Sequence, residues 1–176
     1  RTTWLWRKKS LKKVESGMLL ANDIHDGWNA HTIKKYYEDY KTELDNMKSA
    51  RIRKSAETFI EMLPDYFFTT AASSTGKYHP SFASGEGGLV RHTKVACYIL
   101  NEILSTRTFG GDFSDDERDL LLLAILIHDG FKHGVIEEKY TKHEHPLICA
   151  ICLRNAKADL ELTEAEIEFV AAAVES

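Results

Sequence analysis

LLLLAILIHD, residues 120 to 129, runs apolar without a break and ends on an adjacent imidazole and carboxylate, His128 and Asp129. A stretch with no polar face predicts a helix buried on all sides. Upstream, Ser114 and Glu117 have the spacing of a capping box, and Asp115 and Asp116 suit the positive end of a helix dipole. The helix is therefore expected to open after Ser114 and to run to about Asp129, where Gly130 can end it. Ionisable groups at the closing turn of a buried helix are costly. Desolvating one carboxylate costs several kcal/mol after relaxation, so a metal ion or a positive partner is the expected remedy.

Other segments are also helical. Ile33, Tyr36, Tyr37, Tyr40, Leu44 and Met47 recur at helical spacing, and Ile52, Ala56, Phe59, Ile60 and Leu63 continue the stripe in a shifted phase. The shift predicts a break near Ser49, and Pro64 closes the segment. Residues 69–88, rich in Ser, Gly and Thr, read as a long loop of the kind that is usually functional or disordered. Leu89, Val95, Ala96, Ile99, Leu100 and Ile103 mark an amphipathic helix with His92 on its apolar face. A further helix is expected from Pro146, a residue suited to a first helical position. Thr163 and Glu166 form a second capping box before Ile167, Phe169, Val170 and Val174. Ser176 follows without a stop signal, as if that helix were cut.

The totals exclude several classes. A chain of 176 residues can bury about 70% of its unfolded surface, so it needs no disulfide scaffold. Three cysteines, all in apolar helical contexts, fit a reducing cytosol, and a cytoplasmic location is expected. The absence of a signal peptide and of a long apolar stretch argues against export and membrane spanning. A net charge of -4 argues against wholesale nucleic-acid coating. The exception is the N-terminus, where Arg1, Arg7, Lys8, Lys9, Lys12 and Lys13 interleave with Trp4 and Trp6. That segment reads either as a solvated tail with packed tryptophans or as a surface that holds phosphates and stacks bases. The expected organisation is an N-terminal basic segment and helix over 1–48, then the main domain over 49–176.

His92, His128 and Asp129 together offer two imidazole nitrogens and a carboxylate oxygen. That set suits Zn, Mn, Fe, Co or Ni better than an all-oxygen Ca or Mg cage. Either histidine alone reads as a satisfied core residue. Gly85, Gly87 and Gly88 fit equally a phosphate-cradling backbone and a loop that needs positive φ. Lys77, His79 and Glu86 lie in the same loop, within reach of the site if it folds back. Cys149 and Cys152, one turn apart, read as small apolar helix residues. His25-Asp26 repeats the dipeptide but has no apolar run before it and reads as a surface turn.

The ordered set GEGGLVRHT at 85–93, LLLLAILIHDGFK at 120–132 and HEHP at 143–146 resembles the HD-domain metal-dependent phosphohydrolases. The Gly-Gly-Leu-x-x-His opening is similar to HD proteins related to 3′→5′ exoribonucleases and to small phage-type HD proteins. The resemblance implies an all-α helical bundle with a buried site for one or two divalent metal ions. It assigns metal binding to His92, His128 and Asp129, and gives His145 as the best match for a ligand of a second ion, with His143 less well placed. It puts Lys132, with Asp129, in the catalytic machinery and Lys132 on the substrate phosphate, with His133 as a substrate contact; His79, by its place in the loop, is a further expected substrate contact.

Two departures stand out. Here Gly130 directly follows the aspartate, HDGFK against the family's HDxGK. The family also takes a last ligand from an aspartate on a further helix, whereas after His145 this chain has only Asp159, in a connector, and the role is not carried to it. That ligand is expected beyond Ser176, or the site is incomplete. The resemblance implies hydrolysis of a phosphoester in a nucleotide or nucleic acid. The competing expectation is a non-catalytic nucleotide- or nucleic-acid-binding module on a degenerate HD scaffold. The tyrosine-rich stripe at 36–40 offers a surface for homo-oligomer formation.

Overall fold

The structure, a computed structural model, describes residues 38–73 and 79–176. The basic N-terminal segment, the His25-Asp26 turn, and Lys77 lie outside the described residues. The fold is all-α, and no strand occurs among the described residues. Its helices are α1 (Lys41–Asp45), α2 (Ala50–Ile60), α3 (Tyr66–Thr69), α4 (Gly88–Ser105), α5 (Arg107–Gly110), α6 (Asp115–Ile127), α7 (His145–Asn155) and α8 (Glu164–Glu175), with a 3₁₀ turn at Ser81–Ala83.

Helix α6 is the hub. It packs against α2, α4 and α8, and α7 lies against α8. Leu120, Leu122, Leu123, Ala124, Leu126 and Ile127 are buried, whereas Leu121 and Ile125, on the face that ends at His128, are only half-buried, so the helix is not covered on every side. Both expected capping boxes form. Glu117 N–H donates to Ser114 Oγ at 3.3 Å while Ser114 N–H donates to the Glu117 carboxylate at 2.8 Å. Thr163 and Glu166 repeat the arrangement at the start of α8.

The phase shift near Ser49 is a true break. α1 ends at Asp45 and α2 begins after Ser49. Orphan N–H groups at a helix start need acceptors, and here Asp119 from α6 supplies one: its Oδ2 accepts from Lys48 N–H at 2.8 Å and Ser49 N–H at 2.7 Å. Tyr40, Leu44 and Met47 join the same hydrophobic core as α2, α4 and α6.

Some boundaries and faces differ from the sequence expectation. α6 stops at Ile127, and His128 is its C-cap. Successive turns then carry the chain through Gly134, with Gly130 N–H on Ile127 O, Lys132 N–H on Asp129 O and Gly134 N–H on Phe131 O. α7 opens at His145, one residue before the proline. On α4 the buried face is Leu89, Val90, Thr93, Cys97 and Leu104, while Val95, Ile99 and Ile103 are exposed. Periodicity counts large aliphatics and passes over Thr93, which is buried because its hydroxyl is satisfied by Leu89 O at 3.0 Å. Phe169 on α8 is likewise exposed.

Two stability predictions follow from these contacts. Asp119→Ala leaves two N–H groups without their acceptor and should cost about 2 to 3 kcal/mol. The readout is a lower urea midpoint at unchanged slope. A second concerns Glu166, whose carboxylate takes a fork from Arg51 at 2.8 and 2.6 Å. The Arg51 bond lowers the Glu166 carboxyl from an ordinary 4.5 to about 2. A depressed carboxylate stabilises the fold above its unfolded pKa, and that stability is lost as pH falls through the folded value. Glu166→Gln should therefore cost about 1 kcal/mol at pH 7, with the gap to wild type closing between pH 4.5 and 2.

Candidate metal centre

Three segments meet at Asp129. α4 delivers His92, the C-cap of α6 delivers His128 with Asp129 directly after it, and the first turn of α7 delivers His145. Asp129 is only 4% exposed. One oxygen, Oδ2, faces Lys132 Nζ at 2.6 Å, His128 Nε2 at 3.5 Å and His92 Nε2 at 3.7 Å. The other, Oδ1, takes His145 Nε2 at 2.9 Å. One ligand atom from each of His92, His128 and Asp129 lies within 4.8 Å of the others. These are the atoms that could hold a divalent ion.

The ring tautomers follow from the backbone. A carbonyl only accepts, so His128 Nδ1, 2.6 Å from Ile125 O, carries a proton. That leaves Nε2 turned toward Asp129 Oδ2, 3.5 Å away. Burial pushes His92 down to about 4, against the pull of Asp129, so its ring is neutral at pH 7 and holds a free lone pair. The donor set fits a borderline divalent ion. A ligand imidazole anchored through its other nitrogen to a backbone carbonyl is the usual support for such a site.

His145 stands differently. Its Nδ1 also bonds a carbonyl, Lys142 O at 2.6 Å, so the Nε2 facing Asp129 must donate as well, which makes the ring an imidazolium. Burial opposes the charge, but the Asp129 and Lys142 bonds outweigh it, and the His145 pKa is raised. Burial likewise pushes the Asp129 carboxyl up, and His145, His128 and Lys132 more than reverse it, holding it well below the usual carboxylate range. His145 thus reaches the site through Oδ1 and stands outside the three-donor group.

The remaining expected residues divide. His79 comes in with its loop, its ring centroid 4.7 Å from that of His92. Lys132 is 7% exposed, its ammonium on Asp129. His133 is buried, stacked on Tyr66 at 5.4 Å, with Nε2 lacking a hydrogen-bond partner among the described residues. His143 is exposed, and Asp159 lies in the connector between α7 and α8. Cys149 and Cys152 are buried as small core residues, and all three cysteines are free.

Two residues that sequence reasoning missed hold the site together. Arg91 latches the incoming loop, donating to Phe82 O at 2.6 Å, Ser84 O at 2.8 Å and Glu86 O at 2.9 Å. The glycines of that loop are conformational: Gly85 and Gly87 have φ of 69° and 67°. A Cβ at Gly88 would lie 2.1 Å from Ala83 O, so only glycine fits. Tyr66 clamps the turn after Lys132, its hydroxyl donating to Gly134 O at 2.6 Å and accepting from His133 N–H at 3.1 Å. No local pattern marks either one.

No family model, no curated protein and no solved structure matches this chain. The resemblance to HD proteins therefore rests on the sequence motifs alone.

The clamp makes a direct prediction. Tyr66→Phe keeps the ring stack but strips both bonds from a buried turn, at a cost of about 1 to 3 kcal/mol. Amide exchange at His133 should accelerate while exchange in α8 is unchanged after correction for global stability.

Proposed function

We propose that this chain is an HD-type, metal-dependent phosphohydrolase that cleaves a phosphate ester or anhydride in a nucleotide or nucleic acid. The observation that carries the reading is the convergence of His92, His128 and Asp129 donor atoms within 4.8 Å of one another. His92 sits on α4, and His128 and Asp129 follow the end of α6, 36 positions or more further along the sequence. His92, His128 and Asp129 would hold the ion, and His145 would take part if a second ion is bound.

Bound there, a divalent ion of the Mn, Fe, Co, Ni or Zn class would supply Lewis acidity toward water and a phosphoryl oxygen. The chain's own residues do the rest. Ile125 O fixes the His128 ring, and His145 holds Asp129 from behind. Lys132, now on Asp129, would offset negative charge building on the phosphoryl oxygens, and His79 stands beside His92 on the loop latched by Arg91. Among the described residues no helix is long and apolar enough to cross a membrane. With its free cysteines, the chain is placed by this reading in the cytoplasm.

The reading is tested by incubating the purified chain with Mn, Co, Ni or Zn and offering nucleotides and short oligonucleotides. Phosphate or nucleotide release is expected only with metal, falling at least 100-fold in His128→Ala together with loss of bound ion. Bound ion at one equivalent with no release from any substrate would overturn catalysis. Oligonucleotide binding that survives His128→Ala would then favour the binding-module alternative.

A further inference from the structure

Among the described residues, Lys132 is the only lysine or arginine on the oxygen that both imidazoles face. Its ammonium is buried and sits 2.6 Å from Asp129 Oδ2, the oxygen that also faces His128 Nε2 at 3.5 Å and His92 Nε2 at 3.7 Å. A lysine serving a substrate would be expected to face the open side of a site. This one is turned inward, onto the atom that a metal would need. The other carboxylate oxygen already has His145 Nε2 at 2.9 Å, so an ammonium moved there would crowd a second donor beside it.

We propose that Lys132 is an internal competitor for the metal position: its ammonium and a divalent ion contend for Asp129 Oδ2, so ion binding drives Lys132 off the carboxylate. This rests on the metal reading above. Two cations on one oxygen repel, and the repulsion is strong where water is scarce. The site therefore pairs ion binding with release of a charged side chain. Loading the site frees the ammonium for an incoming phosphate, and an unloaded site keeps it bound to Asp129. Binding is also weakened, because the ion must displace a formed salt bridge. The ligand class is a divalent transition ion, and the step is an exchange of ion pairs with no covalent change.

The competitor role and a supporting role predict opposite signs. Were Lys132 there to orient Asp129 for the ion, its loss would weaken binding. As a competitor, its loss strengthens it. The full chain and its Lys132→Met variant are titrated with Mn and with Co by calorimetry, following the cobalt absorption in parallel. Lys132→Met is expected to bind at least tenfold more tightly, and adding His128→Ala to it should abolish that binding. Ion uptake by Lys132→Met alone, with none by wild type, supports the proposal equally.

Equal or weaker binding by Lys132→Met, with wild type binding normally, overturns the competitor and leaves the metal reading standing. Binding by neither chain overturns both. Should Lys132→Met fail to fold, wild type labelled with ¹⁵N at lysine Nζ decides. One equivalent of Zn should shift the Lys132 resonance and speed its proton exchange. A resonance unmoved by bound Zn contradicts the proposal.

Discussion

A carboxylate buried among helices must be compensated, and the construction of this protein follows from that need at Asp129. It is 4% exposed, yet held ionised by His145 on one oxygen and by Lys132 on the other, where the His92 and His128 rings also face it. Each of these groups would be costly to bury alone. Together they make a charged cluster inside an apolar shell, and the cluster is only as good as the placement of the helices that carry it. α6 packed against α2, α4 and α8 provides that placement.

The same logic explains the irregular segments. The turns from Gly130 to Gly134 and the loop before α4 cannot be held by helix hydrogen bonds, so side chains hold them. Tyr66 bridges two backbone groups across one, and Arg91 gathers three carbonyls across the other. Asp119 does the equivalent for the start of α2. These bonds keep the ligand-bearing ends of α4, α6 and α7 in register, which a site with donor spacings of a few ångströms demands.

Local patterns carried the fold, and long-range contacts carried much of the site. The capping boxes at Ser114 and Thr163, the break at Ser49 and the buried run at 120–127 are all set by neighbours within a few residues, so they are legible in order along the chain. His92, His128 and Asp129 were legible as a set because two lie at the end of a run that buries them and the third on an inward helix face. Asp119, Tyr66 and Arg91 were not. An acceptor for an N–H group 71 positions away leaves no periodic trace. The face of α4 was misjudged because Thr93 and Cys97 are small and only partly apolar, whereas Ile99 is large, apolar and 51% exposed. Lys132 shows the limit differently: the motif marks it for a role, but only the coordinates show its ammonium turned onto Asp129.

A three-donor cluster around buried Asp129, an inward lysine and a latched loop form one arrangement, which the proposed function reads as taking up a cation and then an anion. X-ray absorption at the Zn edge, on protein loaded with one equivalent, addresses the foundation directly. Nitrogen and oxygen neighbours only, with outer scattering from imidazole rings that is lost in His92→Ala, is the expected spectrum. Sulfur among the nearest neighbours, or a spectrum unchanged by His92→Ala, would place the ion elsewhere.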